Sequence, residues 1–193
     1  MDGAKETLMC TAAVIYESWF GNTRRIAERI AVGMRSVGIA ADALAVGDAV
    51  GSRVHGVDLL VIGAPTHAHS LPTPASRKEA ARWADDPRKQ LRLEGDPEVS
   101  GLREWIAAAE PSHRAFVAFS TRADLMPALS GSAAHSIRRH LRKKGWTEFD
   151  GTESFVVPTA GAVDESELRH AEFWGRQLGS GLRAVPAGDL QPA

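Results

Sequence analysis

Val14-Ile15-Tyr16-Glu17-Ser18-Trp19-Phe20-Gly21-Asn22-Thr23-Arg24 reads as the end of a buried strand, a short polar loop and the start of a helix. The strand is the apolar run Thr11–Tyr16. The helix is predicted over residues 23–37, where Ile26, Ile30, Met34 and Val37 recur at helical spacing and Gly38 supplies the stop. A helix entered this way presents unpaired N–H groups and the positive end of its dipole, so the loop favours an anion. Ser18 and Thr23 add hydroxyl donors, and Gly21 lets the main chain curl around a phosphate. The Gly-x-x-x-x-Gly-Lys and Gly-x-Gly-x-x-Gly spacings are both absent, so the loop suits one terminal phosphate held mostly by neutral donors. Taken alone, the same residues also fit plain helix capping by Ser18 or Asn22.

Outward from this loop, apolar runs alternate with helical patterns. Further strands are expected at 39–44, 58–63, 115–120 and 154–157, and helices at 74–85, 102–109, 132–145 and 165–182. Strands separated by helices imply βαβ units and a parallel sheet covered on both faces. The expected fold class is therefore α/β, a three-layer doubly wound sandwich with a five-stranded parallel sheet in the order 2-1-3-4-5. The polar stretch 86–100, with Pro87, Gly95 and Pro97, reads as an insertion or long connection within a single domain over 1–185. Residues 186–193 read as a flexible tail.

The chain has 193 residues, enough for one domain with a full core and too few for two comfortable ones. A net charge of −1 gives no global field for nucleic acid or membrane. The basic run from Arg138 to Lys144 has no interleaved aromatics to stack bases and reads as the solvated, cationic end of a helix. No apolar run approaches membrane-spanning length, the start lacks a signal-peptide core, and the single Cys10 fits a reducing compartment. A cytoplasmic protein, monomer or homodimer, is expected.

The residues Val14 to Thr23 resemble the flavodoxin signature: two aliphatics, an aromatic, any residue, Ser or Thr, two residues, Gly, any residue, Thr. Every constrained position matches. In that family the loop wraps the phosphate of flavin mononucleotide, FMN. The resemblance thus implies FMN as cofactor, and Ser18, Trp19, Phe20, Gly21, Asn22 and Thr23 as its phosphate loop. Trp19 and Phe20 are unusual members; they either flank a ligand or partner or cover the loop.

In an open sheet of this order the ligand lies beyond the carboxyl ends of the strands, at the switch point. There Gly63-Ala64-Pro65-Thr66 resembles the Gly-x-Pro-Thr turn that runs along the flavin ring in several flavodoxin-like branches. The resemblance implies contacts from Pro65, Thr66, His67 and Ala68. His67 stands where many flavodoxins place a stacking Trp or Tyr, and it offers less area. His67 and His69 also invite a metal reading, but no suitable third ligand follows locally. The loop after the fourth strand corresponds to the family's cover for the other flavin face, which assigns Ser120, Thr121, Arg122 and Gly131 to the site. That loop has no aromatic; Leu125 and Met126 are available as an apolar wall. Arg122 either faces the ring or pairs with Asp124, and Ser130 to Ala133 either pack against a ligand or cap a helix.

The resemblance implies a redox protein that carries electrons to a partner protein or reduces a small electron acceptor through FMN, with no catalytic acid or base assigned. Electron-shuttling flavodoxins are mostly strongly acidic; this chain is nearly neutral. The missing stacking aromatics motivate a second expectation, a binding or regulatory module of the same fold with weak or no flavin binding. A low-molecular-weight phosphatase, a response-regulator receiver and a serine hydrolase are set aside, because the first loop lacks Cys, the third strand lacks a phosphoacceptor Asp, and Gly-x-Ser-x-Gly is absent.

Overall fold

A computed structural model of the chain describes residues 10–67, 70–94, 96, 100–124 and 131–185. Its strands are β1 (Thr11–Tyr16), β2 (Ala40–Ala45), β3 (Leu59–Pro65), β4 (Ala115–Arg122), β5 (Thr147–Glu148) and β6 (Glu153–Val156). Its helices are α1 (Asn22–Ser36), α2 (Pro74–Ala84), α3 (Leu102–Ala108), α4 (Ala133–Lys143) and α5 (Glu165–Ala184). The order across the sheet is β2-β1-β3-β4, and β5 and β6 both lie along the outer side of β4. All these pairings are parallel.

The expected strand order holds, with one refinement. The fifth position is shared by two short strands. Thr147 and Glu148 pair with Ala115 and Phe116, and Glu153–Val156 pair with Phe119–Arg122. The Phe149 N–H still donates to the Phe116 carbonyl at 2.8 Å, residues 150–152 separate the two pieces, and the run 154–157 marks only the second.

Alternation along each strand divides the core in two. Val14, Val61, Val117 and Phe119 face Ile26, Ile30 and Met34 of α1 and Trp174 and Leu178 of α5. Ile15, Leu60, Ile62 and Phe116 face Leu102, Ile106, Ile137 and Leu141 of α3 and α4. All of these except Trp174 and Ile106 are 0% exposed, and each such aliphatic burial is worth about 1.5–3 kcal/mol. Glycines let α1 and α5 touch backbone to backbone. A Cβ on Gly33 would lie 2.0 Å from the Glu172 carbonyl oxygen, and one on Gly175 would lie 2.2 Å from that of Ile30. This packing fixes the N-terminus of α1 over the carboxyl edge of the sheet. Among the described residues no helix is long and apolar enough to cross a membrane.

Candidate phosphate and cofactor site

Four helix starts carry a side-chain acceptor from the chain itself. Thr73 caps α2 through Ser76 N–H at 3.1 Å, and Ser132 caps α4 through His135 N–H at 3.3 Å. Asp164 caps α5 through Ser166 N–H at 2.7 Å. At α3 the Gly101 N–H donates to Glu104 at 2.9 Å, and the Leu102 N–H donates to Glu17 at 2.8 Å. α1 differs. Its N-cap is Gly21, in the left-handed region at φ 88°, with no side-chain cap among the described residues.

The two candidate caps are occupied elsewhere. Ser18 Oγ accepts from the Gly21 N–H at 3.2 Å, closing the loop on itself. Asn22 reaches across to the 158–163 loop, donating from Nδ2 to the Gly161 carbonyl at 3.1 Å and accepting from the Val163 N–H at 2.9 Å. Thr23 is buried, its hydroxyl 2.8 Å from that of Thr121 at the end of β4. Between the two side-chain oxygens one proton is shared, leaving the other to point elsewhere.

A cavity of about 770 Å³ opens at this helix start. Its walls are residues 19–25, residues 90–94 of the long connection, Pro65, Thr121 and residues 157–162. Arg24, Arg25 and Arg92 bring positive charge to it. Sequence reading missed Arg92 and Glu94 and gave Arg24 and Arg25 no role, although the two arginines directly follow Thr23. The connection closes over the loop: the Glu94 N–H donates to the Trp19 carbonyl at 2.7 Å, and Arg24 grips the Glu94 carboxylate with Nε and Nη2, both at 3.0 Å. Hydrogen bonds to Glu94 and then to Glu28 hold the Arg24 guanidinium protonated well above its ordinary range.

The other expected site residues fall into three groups. Trp19 is 9% exposed; its indole N–H donates to Glu17 Oε1 at 3.0 Å, so it covers the loop while its ring edges the cavity. Phe20 is half-buried and lines the cavity. Pro65 and Thr121 line it too, at neighbouring strand ends. Thr66 turns to structure: its N–H donates to the Thr121 carbonyl at 2.7 Å and its hydroxyl accepts from the Ala133 N–H, the start of α4. His67 pairs with Ser70 through backbone hydrogen bonds, and its ring lies 5.3 Å from that of Trp19 and 6.1 Å from that of Trp83. Its Nε2 is 3.7 Å from Glu79. Ser120 is fully buried, 3.4 Å from the Ser132 hydroxyl and 3.3 Å from that of Ser154, away from the cavity walls. Arg122 is half-buried and donates to the adjacent Ala123 carbonyl at 3.4 Å. Gly131 takes φ 63° just before the Ser132 cap. Ala68, His69 and residues 125–130, including Leu125, Met126 and Ser130, lie outside the described residues.

Beneath the loop sits a buried charge cluster. Glu17 is 3.6 Å from Arg77 Nη1, and Arg77 Nη2 donates to Glu104 at 2.9 Å. The cluster floors a second cavity of about 480 Å³, which shares Trp19, Arg24, Leu93 and Glu94 with the first.

A parallel sheet in this order, wound on both faces, with a loop-built cavity at its carboxyl edge, defines the flavodoxin-like α/β class, and the chain has that fold. It is similar in structure to a flavodoxin from the domain Archaea, with 18% identity and a TM-score of 0.59, over 90% of this chain and 99% of that one. Megasphaera elsdenii flavodoxin is similar at 14% identity and a TM-score of 0.57, over 88% of this chain and 98% of that one. The flavodiiron core from Synechocystis matches 92% of this chain at 20% identity and a TM-score of 0.57, and the match spans 37% of that chain. No protein-family model matches the chain, and no curated protein matches it.

Proposed function

We propose that the protein binds FMN with its phosphate at residues 18–25, and works as a flavin redox protein that passes electrons to a partner protein or reduces a small acceptor. The observation that carries this reading is the start of α1. It has no cap of its own, it opens into a cavity of about 770 Å³, and Arg24, Arg25 and Arg92 line that cavity. A dianionic phosphate matches such a helix end in charge and in donors. The solved structures of like fold, flavodoxins and a flavodiiron core, support a flavin redox role. When bound, FMN supplies the electron transfer. The chain's own residues hold the phosphate, with Pro65 and Thr121 beside it at the strand ends. With a net charge of −1, partner choice rests on local contacts rather than on long-range steering.

A second reading, a binding module with little or no flavin, draws on two observations. Glu94 already seats a carboxylate over Gly21, and His67 is engaged with Trp19 and Trp83. Titration of FMN and riboflavin against the protein, read by flavin fluorescence, separates the two. FMN binding at least about tenfold tighter than riboflavin, and weakened at least about tenfold by Thr23→Val, is the expected result, one hydrogen bond to a charged phosphate being worth roughly 1.5–3 kcal/mol. Equal binding of the two flavins refutes the phosphate assignment.

A further inference from the structure

Of the long connection between α2 and α3, the flavin reading uses Arg92 alone. Leu91, Leu93 and Glu94 of this connection are half-buried. Its residues 90–94 form one wall of the cavity, and its last described residue before Gly95 is tied to the loop at three points. The Glu94 N–H is bonded to the Trp19 carbonyl, and both carboxylate oxygens are bonded to Arg24. The carboxylate sits directly on the N-cap: a Cβ on Gly21 would lie 2.8 Å from Glu94 Oε1 and 3.1 Å from its Cδ. An anion from seventy residues away thus occupies the place where the uncapped helix start and Arg24 converge.

We propose that Glu94 is an internal competitor for the ligand phosphate: the 90–94 segment closes the site with its own carboxylate, and a phosphomonoester dianion displaces it and takes over Arg24. This rests on the reading of the Gly21 loop as a phosphate site. Two anions cannot share the Arg24 fork and the space above Gly21 without strong repulsion. The closed form therefore lowers apparent affinity by the fraction of molecules that are open. The contact is open to exchange, because Arg24 and Glu94 are each 36% exposed and water screens even a bidentate pair at such exposure. Release also changes more than the phosphate site. Trp19, Arg24, Leu93 and Glu94 form the wall between the two cavities, so displacing the segment opens a path from the first to the second. The competitor selects by charge: a dianion gains from its removal, and a neutral ligand does not.

The test compares the full chain with Glu94→Gln and Glu94→Ala, using FMN, riboflavin and inorganic phosphate as separate probes in calorimetric titrations. Circular dichroism confirms that each variant is folded. Both variants are expected to bind FMN and inorganic phosphate about fivefold more tightly than the parent, the size of one exposed ion pair, with riboflavin changed less than twofold. Variants that gain inorganic phosphate while no protein binds FMN uphold the competitor and refute the flavin reading. Parent and variants that bind FMN equally uphold the flavin reading and refute the competitor. Failure of every protein to bind either anion refutes both.

Discussion

Replacing Arg77 with methionine is expected to destabilise the protein by about 3 kcal/mol, because it strands a buried carboxylate under the phosphate loop. The side chains of Arg77 and Glu17 are 7% and 5% exposed, and their charged atoms are 3.6 Å apart. Glu17 would keep two neutral donors, the Trp19 indole at Oε1 and the Leu102 N–H at Oε2, and lose its cation. Removing one member of a buried pair costs about 3–5 kcal/mol. The lower end applies, since Arg77 Nε and Nη1 are buried with no hydrogen-bond partner among the described residues, and methionine removes that penalty too. Glu17→Gln is expected to cost about 1–3 kcal/mol by another route. Each carboxylate oxygen accepts a donor, so an amide must turn its NH2 toward either Trp19 or Leu102. The double variant has no pair left to break, and its loss should fall short of the sum by at least about 1 kcal/mol. Urea unfolding followed by circular dichroism measures all three. For a chain of this size, 3 kcal/mol also lowers the melting temperature by about 6–12 °C. A strictly additive double variant, or a neutral Arg77→Met, refutes the claim that Arg77 compensates Glu17.

Gly21→Ala is expected to cost about 1–2 kcal/mol in the same assay, since φ 88° is costly for any residue with a Cβ, and to weaken FMN binding because the new methyl group occupies the phosphate approach. Unchanged stability would contradict the left-handed N-cap. Tyr16 is the chain's single tyrosine, so its phenolate absorbance can be followed without overlap from another. Burial first, and then the Glu28 charge, raises its pKa above the ordinary 10.0. A raised folded-state pKa means that the stabilisation is fully present below pH 10 and is lost as pH climbs through the folded value. The phenolate midpoint should therefore lie higher in the native protein than in urea; identical midpoints would contradict its partial burial.

Much of the fold was legible because its signals are local. The run TAAVIY has the same bounds in sequence and structure, and the α1 pattern of Ile26, Ile30 and Met34 is the buried face observed. The misses have physical causes. The apolar run predicts that β3 stops at Gly63, yet it runs on to Pro65, because a proline at a strand end gives up only its own N–H and Thr121 still pairs beside it. Thr147–Glu148 is too short and polar to register as a strand, and its place is set by its pairing with β4 and by Arg138, whose Nε donates to Glu148 at 2.8 Å. In the candidate site, the junction of β1, Gly21 and the start of α1 was visible because its parts adjoin in sequence. Glu94 was not, since a glutamate in a polar, proline- and glycine-bearing stretch looks solvated until Arg24 is brought to it by the fold. The burial of Trp19 was hidden for a like reason: its partner Glu17 is itself a charged residue, and Arg77 together with the Leu102 N–H compensates that charge inside only once the fold brings them there.

The visible absorption spectrum of the purified protein, taken again after incubation with FMN and gel filtration, tests the flavin assignment most directly. Flavin bands that co-elute with the protein in stoichiometric amount are the predicted result. Protein that emerges free of flavin in both samples, and also with Glu94 replaced by glutamine, would contradict it.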